Sequence, residues 1–244
     1  MKSDSLIFGI YPVEEALQTS NLDKLFVQNG NTNEKINRIV KNAEQKNITI
    51  QFVPIEKLNR LVKGNHQGII AQSAPISFTS IEKVVADALK SNKAPLFLIL
   101  DQISDVRNFG AIVRTAECTG VNAIIIPKSG AAPITGDTVK TSAGAIYKIP
   151  ICKVDHIKDA IFYLQSSEIK IIAATEKTDT NLYTIDLKQP LAVILGSEGK
   201  GISNSVLNLT DYKAALPLLG EINSLNVSVA CGAFLYEIVR QRHH

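Results

Sequence analysis

An arginine lies in the middle of a helical pattern whose neighbouring positions are small or apolar. The segment DQISDVRNFGAIVRTAECTG, residues 101–120, follows the apolar run LFLIL. At about 100° per residue, Arg114 shares its side of this helix with Ala111 and Cys118, which leave its guanidinium room to reach across a cleft. A planar guanidinium suits bidentate recognition of phosphate. The alternative is an ordinary ion pair with Glu117, one turn further along.

A glycine-rich turn follows a second apolar strand pattern. In ILGSEGKGIS, residues 194–203, three glycines in six positions allow the backbone to approach a ligand closely. The phosphate-loop pattern fails because Ile202 stands where lysine is required, and the dinucleotide pattern fails because Asn204 stands where glycine is required. Glu198 adds a carboxylate to this turn. A plain tight turn between a strand and a helix remains the alternative.

A third segment combines an irregular turn with a helix rich in small residues. LPLLGEINSLNVSVACGAFLYEIVRQR, residues 216–242, contains Ser224 and Asn226 directly before the helical pattern. Either side chain can cap this helix, as Asn108 can cap the helix that carries the arginine. The small residues along one side of the helix suit close packing in a core or an oligomer.

The order of apolar runs predicts an α/β protein with two domains. Beyond Pro95, continuous apolar strands alternate with helical segments, which indicates a mostly parallel sheet covered on both faces. Ligands of such sheets bind beyond the carboxyl ends of the strands, where the three segments above are expected to lie. Shorter alternating signals precede this region. The expected organisation is a small α/β domain at 1–75, a linker at 76–95 and a larger domain at 96–244.

The composition excludes several classes of protein. The chain has 244 residues, of which 45% are hydrophobic and 20% charged, and its net charge of +3 neither requires nor excludes a nucleic-acid partner. Its three cysteines lack the spacing of a disulfide framework or a metal site, so no metal is expected. The absence of a signal segment or an apolar run of roughly 20 residues favours a soluble, cytoplasmic protein. His243 and His244 look like the remnant of a purification tag.

Taken together, the three segments resemble the motifs of the SpoU family of RNA ribose 2′-O-methyltransferases, within the SPOUT class. RNFGAIVRTAECTG, ILGSEGKGIS and LPLLGEINSLNVSVACGAFLYE are similar to its first, second and third motifs, in the family's order. IFGIYPVEEAL and GNHQGIIAQ resemble an L30e-like substrate-binding domain, as found in RlmB-type enzymes that modify a guanosine of large-subunit ribosomal RNA. The resemblance implies a trefoil-knotted methyltransferase domain and a homodimer with its sites near the interface.

The resemblance also implies roles for individual residues. The cofactor would be S-adenosylmethionine, bound by Gly196, Leu216, Leu225, Thr175 and Asn226. The residues expected at the site of methyl transfer are Asn108, Arg114, Glu198, Ser224 and Asn226. A guanidinium stays protonated, so anchoring the RNA backbone is the role expected for Arg114.

In the first domain, a helix carries cations opposite its apolar face, and a turn carries a histidine. We expect RNA contacts from Lys35, Arg38, Lys41 and His66. A merely solvated face is the alternative for the three cations. Other functions also remain open: a transfer-RNA 2′-O-methyltransferase, a resistance-type ribosomal RNA methylase, or a noncatalytic RNA-binding or ribosome-assembly factor. A nucleotide-dependent oxidoreductase fails on the glycine spacing.

Overall fold

The chain folds into two compact units. The computed structural model describes residues 6–19, 22–73, 76–91, 93–197 and 199–243. The smaller unit comprises residues 1–77 and the larger one residues 78–244. The division lies two residues beyond the expected boundary at 75, and most of the expected linker belongs to the larger unit, because a helix at Ile81–Leu89 packs into that unit's core.

The smaller unit is a four-stranded mixed sheet with three helices. Its strands are β1 Leu6–Phe8, β2 Leu22–Gln28, β3 Thr49–Val53 and β4 Ile69–Ser73. Its helices are α1 Ile10–Thr19, α2 Glu34–Gln45 and α3 Ile55–Leu61. The strand order is β1-β4-β2-β3, in which β2 and β3 are parallel and β4 is antiparallel to both of its neighbours. This α/β unit matches the alternation of signals in the sequence.

The larger unit is built on a six-stranded, fully parallel sheet. Its strands are β5 Leu96–Asp101, β6 Ala123–Pro127, β7 Ile151–Val154, β8 Lys170–Ala174, β9 Leu191–Gly196 and β10 Tyr212–Ala214. Its helices are α4 Ile81–Leu89, α5 Val106–Cys118, α6 Gly136–Thr141, α7 Ile157–Ser166, α8 Asn204–Leu207 and α9 Val227–His243. Short 3₁₀ turns lie at Ala145–Tyr147 and Leu182–Thr184. The parallel sheet predicted from continuous apolar strands is confirmed.

The strand order places several loops at one edge of this sheet. It runs β10-β8-β9-β5-β6-β7, so β9 is inserted between β8 and β5. The carboxyl ends of β5, β8, β9 and β10 therefore point to the same side, where parallel sheets bind ligands. The knot implied by the resemblance concerns the path of the chain through these loops and stays a prediction.

The far end of α9 is fastened to the opposite edge of the sheet. Arg242 donates hydrogen bonds from its guanidinium to four backbone carbonyl oxygens at distances of 2.7–3.2 Å. These oxygens belong to residues just before β5 and β9: Ala94, Pro95, Leu187 and Gln189. This contact fixes the position of α9 at one end, so its first turn has a defined place at the other. His243 completes α9, and His244 lies outside the described residues.

Candidate functional site

A pocket of about 360 Å³ opens at the carboxyl ends of the central strands. Its walls come from the ends of β8, β9 and β10, the glycine-rich turn after β9, the loop after β10 and the first turns of α9. Every residue expected to bind the cofactor lines it: Thr175, Gly196, Leu216, Leu225 and Asn226. Ser224 lines it too. The second motif ends at residue 203 and the third begins at residue 216, and both contribute walls to one cavity.

Close backbone packing shapes the glycine-rich turn. The N–H of Gly201 donates to the carbonyl oxygen of Ser197 at 2.8 Å, which closes the turn on itself. A Cβ on Gly196 would collide with backbone atoms of Gly201 and Ile202, so no larger residue fits there without opening the turn. Glu198 lies outside the described residues, and its part in the site stays a prediction.

A buried carboxylate holds the segment that follows this turn. Asp101, the last residue of β5, is buried, and its Oδ2 accepts a hydrogen bond from the N–H of Ser203 at 3.2 Å. Ser203 is the residue from which α8 begins. Since Asp101 pairs with Gly196 across the sheet, one short stretch of β5 stabilises both ends of the turn.

The first motif meets the third through two asparagines. Asn226 Nδ2 donates to Asn108 Oδ1 at 3.1 Å. Asn226 Oδ1 accepts from the N–H of Ser228 at 2.9 Å and from its hydroxyl at 2.6 Å, so Asn226 caps α9 as expected. The expected capping of α5 by Asn108 is wrong. Asp105 caps α5, accepting from the N–H groups of Arg107 and Asn108, and this frees the Asn108 side chain for α9.

Arg114 lies on the exposed side of α5, two turns beyond the first motif's asparagine. It is not among the residues that line the pocket in the single chain. Within the described part of the chain, no ion pair or hydrogen bond engages its guanidinium. Glu117, the alternative partner, instead lies 3.8 Å from the ammonium of Lys148. The arginine is therefore exposed for a ligand, and its place in the site of methyl transfer stays a prediction.

Other reactive groups in the larger unit are poorly suited to catalysis. Burial raises the pKa of Cys231 to about 12, and burial together with the charge of Glu82 raises that of Cys152 to about 12. Both thiols are therefore protonated near neutral pH and are weak nucleophiles. Within the described ranges, no group of three or more His, Cys, Asp or Glu side chains is arranged to hold a metal ion. The polar groups of the pocket are instead the hydroxyls of Thr175, Ser197 and Ser224, the carboxylate of Glu176, the amide of Asn226 and backbone groups.

Comparison with family models covers nearly the whole chain. Residues 95–236 match the SpoU rRNA Methylase family, and residues 6–79 match the RNA 2′-O ribose methyltransferase substrate binding domain. The chain belongs to the SpoU rRNA methylase family. It is accordingly an RNA 2′-O-ribose methyltransferase.

Relatives of full length agree with this membership. A candidate TrmH family tRNA/rRNA methyltransferase of Staphylococcus aureus is 34% identical over 241 residues, which is 98% of this chain and 97% of the relative. The Bacillus subtilis protein YacO, with the same description, is 34% identical over 238 residues, or 97% and 96% of the two chains. The SpoU methyltransferase AviRb of Streptomyces viridochromogenes, solved with AdoMet, shares the SpoU fold with a TM-score of 0.62 at 21% identity, over 98% and 90% of the two chains.

The four residues expected to contact RNA have different environments in the smaller unit. Lys35, Arg38 and Lys41 are exposed along α2. His66 is only 6% exposed, and both ring nitrogens are engaged: the N–H of Gly68 donates to Nδ1 at 3.0 Å, and Nε2 lies 2.9 Å from Asn59 Oδ1. The polar atoms of the His66 ring are thus used inside the unit, and the RNA contact expected of this residue stays a prediction.

Several residues of the pocket are not among those predicted from the sequence. Glu176 lines it with a carboxylate, directly after Thr175. Apolar walls come from Ala174, Leu195, Ala214, Leu218, Val227, Ala230 and Phe234. The position of Glu176 after the strand KIIAAT was a usable signal, since loops after buried strands carry ligand contacts. Phe234 gave no such signal, because an aromatic residue in a helix usually serves the core.

In the described ranges, no helix is long and apolar enough to span a membrane.

Proposed function

We propose that this protein transfers a methyl group from S-adenosylmethionine to the ribose 2′-hydroxyl of a guanosine in large-subunit ribosomal RNA. One observation supports the proposal above all others. Three segments separated by up to 118 residues in the sequence converge, through the pocket walls and the hydrogen bond between Asn226 and Asn108. A small-molecule site bordered by polar groups of a neighbouring helix is the arrangement that two-substrate transfer requires.

The pocket fits S-adenosylmethionine by its chemistry. Its volume of about 360 Å³ falls in the range of small-molecule sites. Its apolar walls suit an adenine ring, and the backbone groups around Leu216 and Leu225 offer donors and acceptors for polar edges of the ligand. Glu176 at the rim offers an acceptor for hydroxyl groups. When bound, this cofactor supplies an electrophilic methyl group on a sulfonium ion.

The protein's own contribution is to align the reacting groups. Methyl transfer to a hydroxyl is an in-line displacement, so the ribose oxygen must be held at a fixed distance and angle from the methyl carbon. In our proposal, Asn226 fixes Asn108 beside the pocket, so that the amide of Asn108 binds the incoming ribose or its phosphate. Arg114 binds the adjoining phosphate with its planar guanidinium. Ser224, which lines the pocket, and Glu198 are the further residues to which we assign polar contacts with the substrates.

Arg114 reaches a site most simply if the protein is a homodimer, which we include in the proposal. The loop after β10 and the outer side of α9 expose large apolar side chains: Leu219 is 98% exposed, Ile222 78% and Tyr236 57%. Such a cluster is typical of a contact surface. In the proposed dimer, α5 of one subunit carries its Arg114 to the pocket of the other. Light scattering of the purified protein tests the expected mass of two chains.

The ribosomal target is proposed on the resemblance of the first domain, because the motifs of the methyltransferase domain do not separate ribosomal from transfer RNA. A transfer RNA is the second candidate, since the full-length relatives carry both substrates in their descriptions. Mapping of ribose methylation across ribosomal and transfer RNA, in cells with and without the gene, decides between the two. Loss of one guanosine mark in large-subunit RNA is expected, whereas loss of a transfer-RNA mark alone would overturn the choice of target. A noncatalytic assembly factor would show no affinity for S-adenosylmethionine in calorimetry.

A further inference from the structure

The two sequence motifs of the smaller unit fold against each other. Gln67 Oε1, from GNHQGIIAQ, accepts a hydrogen bond from the N–H of Ile10, from IFGIYPVEEAL, at 2.9 Å. Three residues at this junction have positive φ: Gly9 at 92°, Gln67 at 53° and Gly68 at 84°. A positive φ is costly for glutamine, and such strain clusters at functional sites. The hydrogen bonds of the buried His66 ring go to Asn59 and Gly68, so they do not account for the positive φ of Gln67.

The N-terminal end of α2 joins the same junction. Asn33 caps α2 by accepting the N–H of Lys35 at 2.9 Å, and Asn31 accepts the N–H of Asn33 at 2.8 Å. A Cβ on Gly68 would collide with the side chain of Asn31, so the two loops are in close contact. The chain thus gathers a group of side-chain amides beside the beginning of α1 and α2.

An exposed tyrosine lies next to these amides with a lysine fixed against it. Tyr11 is 65% exposed. The ammonium of Lys35 donates to the Tyr11 hydroxyl at 2.7 Å and lies 4.5 Å from the ring centroid. The ammonium is closer to the hydroxyl oxygen than to the ring centroid, and with Tyr11 65% exposed much of the ring stays open to solvent. Holding the Lys35 side chain in one conformation costs side-chain entropy. A lysine that contacts only solvent would retain that entropy.

We infer that Tyr11 and Lys35 form a binding site for an unpaired RNA nucleotide, in which the base stacks on the Tyr11 ring and the phosphate pairs with Lys35. Aromatic faces beside cations are the usual means of binding single-stranded RNA, whereas a regular duplex keeps its bases stacked and out of reach. Arg38, also exposed on α2, continues the positive charge along the strand. The inference deepens the proposed function, since it states how the substrate-binding unit holds the RNA.

The test compares full-length variants in fluorescence-anisotropy titrations with two probes, an unstructured mixed-sequence RNA oligonucleotide and a fully paired RNA duplex of equal length. Tyr11→Ala is expected to weaken binding of the single strand about tenfold, because one stacked base is lost. Tyr11→Phe keeps the ring and should stay within about twofold of the parent protein. Lys35→Ala should weaken binding and lower the dependence of affinity on salt by about one ion. The duplex should bind Tyr11→Ala and the parent protein equally.

Phe52→Ala is the matched control, since Phe52 is another exposed aromatic residue of the same unit, at 58% exposure. Its affinity for the single strand should be unchanged. The inference fails if Tyr11→Ala binds the single strand as tightly as the parent protein, or if Phe52→Ala loses as much. Methyl transfer by the parent protein separates this result from the proposed function: an active enzyme with a neutral Tyr11→Ala sinks the inference alone, whereas an inactive parent whose RNA binding depends on Tyr11 sinks the function alone.

Discussion

Both units bring loops together at one edge of a sheet, but the two edges differ in what they offer a ligand. In the larger unit, the glycine-rich turn, the loop after β10 and the start of α9 enclose a pocket. In the smaller unit, the loops around Gln67 and the start of α2 leave Tyr11 exposed beside Lys35. The first edge encloses a small molecule, while the second displays side chains on an open surface.

The difference indicates which kind of substrate each unit handles. A small cofactor is bound by surrounding it, which requires close packing and glycine where the backbone must approach. A polymer is bound by contacts repeated along a surface, which requires exposed aromatic and charged groups. A single substitution should therefore weaken cofactor binding strongly at the pocket, whereas each substitution on the exposed surface should weaken RNA binding by a smaller step.

The largest effect is expected for Gly196→Ala. The added Cβ would collide with the backbone of Gly201 and Ile202, so the turn must open and the pocket changes shape. We expect S-adenosylmethionine affinity, measured by calorimetry, to fall about 100-fold, because overpacking of this kind costs up to ~3 kcal/mol. Gly136→Ala is the matched control, since its Cβ meets no atom within 4 Å. Equal affinities for the two variants would show that the turn does not shape the cofactor site.

A smaller loss is expected when the bridge between the first and third motifs is removed. Asn226→Ala loses the cap of α9 and the hydrogen bond to Asn108, and methyl transfer should fall about 30-fold, equivalent to ~2 kcal/mol over three hydrogen bonds. Asn226→Asp separates the two contacts, because a carboxylate still accepts from Ser228 but no longer donates to Asn108. We expect Asn226→Asp to melt near the parent temperature and yet to transfer methyl groups slowly. Full activity of Asn226→Asp would argue that capping alone explains the residue.

The planar geometry of the Arg114 guanidinium should contribute about tenfold to methyl transfer. Arg114→Lys retains the charge but loses the planar fork, so methyl transfer should fall about tenfold while cofactor affinity stays unchanged. A mixture of Arg114→Ala and Asn226→Ala chains, each strongly impaired alone, examines whether two subunits share each site. If they do, mixed dimers regain one complete site, and random pairing restores about a quarter of the parent activity. If each site lies within one chain, no activity returns on mixing.

The sequence was most informative where one physical pattern dominated. The continuous apolar strands after Pro95 specify buried parallel strands, and glycine spacing excluded both nucleotide-binding loops. Gly196, Leu216, Leu225 and Asn226 could be named in advance because the second and third motifs, recognised by their resemblance to the family, contain them. The caps were harder to assign. Asp105 and Asn108 are both good capping residues within one turn of each other, and only the coordinates show that Asp105 accepts the N–H groups.

Long-range contacts were beyond the reach of local patterns. The bond from Ser203 to Asp101 joins residues 102 positions apart, and nothing in the spacing of either residue indicates it. His66 shows a different limit. A histidine in a polar turn is expected to be exposed, but His66 is buried in a turn where Gln67 and Gly68 have positive φ. The proposed site at Tyr11 could not be predicted from local patterns either, because Lys35 belongs to α2 whereas Tyr11 belongs to α1.

The smallest effect is expected for Asp211, which lies directly before β10 and contacts β8 at the end opposite the pocket. Burial alone would raise the pKa of Asp211, but hydrogen bonds from the N–H of Ile171 and from Gln165, together with Lys170, lower it overall. A carboxyl group with a lowered folded-state pKa stabilises the fold above its ordinary pKa of 3.8, and that contribution is lost as the pH falls through the folded-state value.

Asp211→Asn should therefore lower the melting temperature at neutral pH, and the gap to the parent protein should close only in strong acid. Asp87→Asn is the control, because the ion pair of Asp87 with Lys90 is exposed on both sides and contributes little. Melting curves across the pH range check both variants. Curves for Asp211→Asn and the parent that stay parallel down to low pH would mean that the carboxylate does not stabilise β8 and β10. The enclosed edge would then depend on packing alone.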